Sequence, residues 1–228
     1  MRDDRYASLV FLDANYLVDL VDNPQAEGVG ANIVAHELAH VALNHWQTQP
    51  SSAYVFPTKI SDWRYEVLRF LTLNLWDEYA ACRLSAHFGD PVAVASNFSG
   101  CLRCHAADLP KLRLYSRKHW QTTSAIKTFM QAVAIARAPL LSAAYLMGHL
   151  DGLGARLSAE DLCPTARRSP LNTCWSPLHQ ELRLLWQQYE LNFAFDMLDG
   201  LAPVLMETVR ICGGGRMMAG MAVPHRSQ

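Results

Sequence analysis

The stretch His36-Glu37-Leu38-Ala39-His40 constrains this chain more than any other. Two histidines four residues apart share a face only if the segment is helical, at about 3.6 residues per turn. On a helix both imidazoles can point at one cation, and Glu37, about 100° further round, stands beside that cation without ligating it. Residues 31–46, ANIVAHELAHVALNHW, carry the spacing of an amphipathic helix, with Ile33, Val34, Leu38, Val41 and Ala42 expected to pack inward. Gly28 and Gly30 lie just before it, where a helix entry and a close backbone approach suit glycine.

A catalytic metal site of this kind takes a third protein ligand and keeps one position open. A third histidine six residues after His40 would supply it, but that position is Trp46, and His45 comes one residue early. Glu78, within LWDEYAACR, is the better candidate. Its neighbours at three, four and seven residues, Ala81, Cys82 and Ser85, make a small face on which a second helix can pack closely. Trp76 and Tyr79 flank it as shields, and Asp77 offers a second carboxylate, as ligand or as partner of a ligating histidine.

Together, HELAH and the downstream Glu78 resemble the gluzincin arrangement of zinc metallopeptidases, and the Glu-Tyr-Ala-Ala run is distantly similar to the ImmA/IrrE-type peptidases. The resemblance covers residues 28–88. It implies a zincin-like domain, zinc as cofactor with His36, His40 and Glu78 as ligands, Glu37 as general base, and a protein or peptide substrate. Where thermolysin-like members carry an aspartate four residues after the third ligand, this chain has Cys82. The oxyanion donor is left open among Tyr115, His119, Tyr145, His149 and His179. A zincin-fold metal-binding module that regulates or binds a partner without cleaving it is the alternative.

Half of the 228 residues are apolar, enough for a sizeable core, and no run of 18 consecutive apolar residues suggests a membrane span. The first 20 residues lack a basic start followed by a pure apolar stretch, since Asp13 and Asp19 interrupt it, so a cytoplasmic location is expected. The net charge of −1 excludes a strong global bias. Locally, residues 109–150 hold six bases and no acid, a candidate surface for an acidic partner. A solvated helix face is the simpler reading, and neither a membrane nor a nucleic-acid partner is expected.

Along the chain, residues 7–21 read as one or two short strands closed by Asp22-Asn23-Pro24, with a further strand near 53–56. Helices are expected over 31–46, over 63–88, from Ser116 or Thr123 to about His149, and over 177–209 with a break near Gly200. Residues 91–110 give no clear period. The fold class expected is therefore mainly α (α+β): a zincin-like helical domain with a small N-terminal sheet and an added C-terminal helical region. The division expected is a metal-binding core over 1–110, a helical region over 111–212 packed on it, and a flexible tail over 213–228.

Cys101-Leu102-Arg103-Cys104-His105 stands apart from all this. It matches the attachment pattern for c-type haem, which needs an oxidising compartment. It also suits a structural zinc completed by two of His105, Cys163 and Cys174, and a disulfide or plain thiols are the simpler readings.

Overall fold

The computed structural model describes residues 10, 12, 27–47, 63–119, 124–155, 168–189 and 195–213. Six helices account for nearly all of them: α1 (Glu27–Gln47), α2 (Trp63–Ser85), α3 (Pro91–His119), α4 (Ala125–Gly152), α5 (Asn172–Tyr189) and, after a 3-10 turn (Phe195–Gly200), α6 (Leu201–Gly213). Among the described residues there is no strand. The α+β expectation is thus corrected to a helical bundle. It rested on short apolar runs, which by periodicity alone do not separate strand from helix. Of residues 7–21 only Val10 and Leu12 are described, neither in a strand, and 53–56 and the tail beyond Gly213 lie outside the described residues.

α4 is the central helix, packed on α2, α3, α5 and α6. Its 126–152 stretch is long and apolar enough to cross a membrane by length and composition, although polar residues interrupt its apolar run. More than half of that stretch is buried inside the bundle, and its position at the centre accounts for its apolarity. Ser124 caps its start by accepting from the Lys127 amide at 3.4 Å. The core joins Leu68, Leu75, Trp76 and Tyr79 of α2 to Leu102 and Leu109 of α3, Phe129, Leu140 and Met147 of α4, and Trp175 and Leu178 of α5.

The illegible stretch over 91–110 is helical. Gly89, at φ 79°, turns the chain out of α2. Asp90 then caps α3, its Oδ1 accepting from the amides of Val92 at 2.9 Å and Ala93 at 3.2 Å. Pro91 takes the first helical position, where its missing N–H costs nothing. α3 runs unbroken through the division expected at residue 110, and one core draws on both sides of it. Ser116, considered as a helix start, lies inside α3.

α1 packs on α2 and, more lightly, on α3. Its inward face differs from the one expected. Asn32, Ala39 and Leu43 are buried, whereas Leu38 is 56% exposed and Ala42 is exposed. The histidine edge and the small side chains of α2 set the rotation of this helix. Asn32 fixes it further by donating from Nδ2 to the Ser85 carbonyl at 3.0 Å.

Candidate metal centre

His36 and His40, one turn apart on α1, face Glu78 on α2. The Glu78 Oε2 atom lies 3.1 Å from His36 Nε2 and 3.4 Å from His40 Nε2, and the two Nε2 atoms are 3.0 Å apart. Four-coordinate zinc binds nitrogen and oxygen at about 2.0–2.2 Å, which makes the edges of its tetrahedron about 3.3–3.5 Å. The three donor atoms converge on nearly that triangle, and a His-His-Glu donor set is one that zinc accepts. Among the described residues, no other group of three potential ligands gathers this way.

Each remaining ring nitrogen has a polar neighbour, although His40 Nδ1 makes no hydrogen bond. Cys82 Sγ lies 3.5 Å from His36 Nδ1, and Asp77 Oδ2 lies 3.0 Å from His40 Nδ1. Cys82 thus holds His36 with its Nε2 towards Glu78, as partners of ligating histidines do, while Asp77 faces His40 as an ion-pair neighbour. Asp77 thus supports His40 and stays outside the three-atom group. Cys82, one turn after Glu78, stands behind His36.

Electrostatics fit a site for positive charge. Burial opposes a charged His40, but the Asp77 and Glu78 carboxylates outweigh it and push its pKa up to about 10. Burial likewise opposes the charge on Glu78, yet His36 and His40 hold its carboxyl down to about 2. Burial, helped by the charge of Glu78, raises the Cys82 thiol well above its ordinary value, so it stays protonated.

A cavity of about 120 Å³ opens beside His36, between α1 and α3. Glu37 lines it, together with Val29, Ile33, Val94, Phe98 and Tyr145. The Tyr145 ring stacks on Phe98 at 5.5 Å and lies 6.1 Å from the His36 ring. Its phenol is raised above the ordinary range by burial and by the charge of nearby Glu78, so it remains a proton donor. Of the three oxyanion candidates whose side chains are described, Tyr145 alone lines this cavity. His149 is buried and donates to the Pro91 carbonyl at 3.0 Å, and His179 donates to Asp151 at 2.9 Å. The side chains of Tyr115 and His119 lie outside the described residues, as does that of His45.

The CLRCH residues lie on α3. Cys101 and Cys104 are exposed free thiols, while His105 Nδ1 lies 2.8 Å from the Ser142 hydroxyl on α4. Cys174 is buried and is not gathered with them, and Cys163 lies outside the described residues. The basic segment over 109–150 is divided between the end of α3 and α4, and Lys111 pairs with Asp108 at 3.2 Å.

The chain matches no protein-family model, no curated protein and no solved structure.

Proposed function

We propose that this protein is a zinc-dependent metallopeptidase that hydrolyses a peptide bond of a protein or peptide substrate. The observation that carries the reading is the convergence of His36 Nε2, His40 Nε2 and Glu78 Oε2, with Glu37 on the wall of the adjoining cavity. These three residues would hold the ion. When bound, zinc supplies a Lewis acid that polarises a carbonyl and acidifies water. Glu37 takes the proton of the attacking water and delivers it to the leaving amine. Tyr145, kept as a neutral phenol, donates a hydrogen bond to the developing oxyanion. Cys82 holds the His36 imidazole in orientation, and Asp77 stands beside that of His40.

A second reading is favoured by one observation. Among the described residues no strand edge lies beside the site on which an extended peptide could pair. In that reading the centre is a metal-binding module that acts through a partner and leaves it uncleaved.

The test is zinc content measured beside cleavage of a quenched fluorescent peptide library. Wild type should hold a zinc that Glu78→Ala loses. Glu37→Gln should keep that zinc while cleavage falls at least about 100-fold. Zinc without cleavage in wild type would select the second reading. No zinc responsive to Glu78 would overturn both.

A further inference from the structure

The cavity beside His36 runs along one face of α1. Val29, Asn32, Ile33, His36 and Glu37 have the spacing of a single helical face, and all of them line it. Val94 and Phe98 close it from α3. Asn32 lies four residues before His36, about 6 Å along the helix axis from the metal end. The cavity thus has Glu37 at the metal end, Asn32 further in, and apolar walls between them.

Asn32 is the unusual member of this lining, since only 4% of it is exposed. Its Nδ2 donates to the Ser85 carbonyl at 3.0 Å, and a carbonyl can only accept, so this bond fixes which way round the amide sits. Oδ1 therefore points away from Ser85, and no group among the described residues donates to it. It is not sealed within the core, so the cavity that Asn32 lines is what it faces.

A ligand for this cavity must match apolar walls and one buried acceptor. A carboxylate is excluded, because Asn32 Oδ1 and Glu37 both present oxygen to it. An ammonium has three donors to satisfy and would set its charge against Ile33, Val94 and Phe98. An all-carbon group would cover Oδ1 and leave it unpaired, which buried acceptors seldom are. A neutral group with an apolar stem and an O–H or N–H at its tip meets both demands. The volume of about 120 Å³ is below the roughly 150 Å³ of a cavity that holds benzene, so aromatic side chains are too large.

We propose that this cavity binds a neutral side chain of threonine or glutamine type, which donates from its tip to Asn32 Oδ1, and that Asn32 is the residue that selects it. The placement rests on the peptidase reading: the side chain belongs to a substrate residue next to the cleaved bond and enters past Glu37.

The test compares isosteres on the full chain with zinc. The peptides differ only at one residue flanking the cleaved bond, threonine against valine and glutamine against methionine. In at least one pair the donor-bearing peptide should have a kcat/KM about 10-fold or more above its partner's. Asn32→Leu should bring that ratio to within about twofold, whatever it does to the rates themselves. Equal rates within both pairs, or a ratio that survives in Asn32→Leu, would overturn the proposal and leave the peptidase reading standing. If no peptide is cleaved the peptidase reading falls, and binding of small probes decides on the pocket. Isobutanol and its donor-free isostere isopentane are followed through the methyl resonances of Val29, Ile33 and Val94. Asn32→Leu should weaken isobutanol about 10-fold and leave isopentane no weaker. Methyl groups that respond to neither probe, or a variant that treats both alike, would overturn the proposal.

Discussion

Gly148 of α4 lies against the backbone of Tyr79 of α2 so closely that a Cβ on it would stand 2.2 Å from the Tyr79 carbonyl oxygen. One turn on, a Cβ on Gly152 would stand 2.3 Å from the Arg83 carbonyl oxygen. The two glycines set the separation of the helix that carries Glu78 from the central helix. Gly148→Ala should therefore force the pair apart and destabilise the fold by about 2 kcal/mol, despite the better helix propensity of alanine. Gly100→Ala, where the space is open, should instead gain about 0.5–1 kcal/mol. Urea denaturation of the two variants gives the comparison. Equal effects would show that the close α2–α4 contact does not govern stability.

Cys82 and Asp77 stand behind the imidazoles of the two candidate ligands, so their removal should weaken the proposed metal binding without deleting a ligand. Cys82→Ala and Asp77→Asn should each raise the zinc dissociation constant about 10–100-fold, measured by competition with a chromophoric chelator. Cys82→Ser, whose hydroxyl can still accept from His36 Nδ1, should stay near wild type. Unchanged affinity in both of the first two variants would remove them from the site.

Asp151 is the hub of a second polar cluster. Its buried carboxylate accepts from Tyr79 Oη at 2.7 Å, His179 Nε2 at 2.9 Å and Arg183 Nε at 3.0 Å, with Arg83 3.6 Å away. Burial opposes its charge, but the bonds from His179, Arg183 and Tyr79 hold its carboxyl well below the usual carboxylate range. Asp151→Asn should cost about 3 kcal/mol at neutral pH, because an amide turns a donor towards groups that already donate. A depressed carboxyl contributes stability that is present above its unfolded value of about 3.9 and lost as pH falls towards the folded value. The gap between wild type and Asp151→Asn should therefore narrow from about pH 5 downwards. A constant gap on acid denaturation would mean that the carboxylate charge is not what the cluster uses.

The His36, His40 and Glu78 group was legible because its parts are local. His36 and His40 are linked by helical period, and Glu78 announced itself through the small residues that follow it. The support from Asp77 to His40 could be guessed from adjacency, whereas the contact of Cys82 with His36 needed the relative rotation of two helices. That rotation was misjudged for Leu38, which the apolar pattern placed inside and the structure leaves exposed. α3 was hidden because residues 91–110 show no clear apolar period and Gly89-Asp90-Pro91 reads as the end of the helix before it. Pro91 opens the helix, and Pro110 lies exposed within it without breaking it. The Asp151 cluster joins residues 28 to 72 positions apart, which no local period reveals.

α1 brings two of the three candidate ligands, yet among the described helices it sits at the rim, resting mainly on α2, while α2 is locked to α4 through glycine contacts. A cation held between them would also be a fastening between an outer helix and the body of the protein. Grip on such an ion and docking of that helix would be a single equilibrium seen from two ends: whatever loosens α1 would weaken the hold on the ion, and whatever supplies the ion would steady α1.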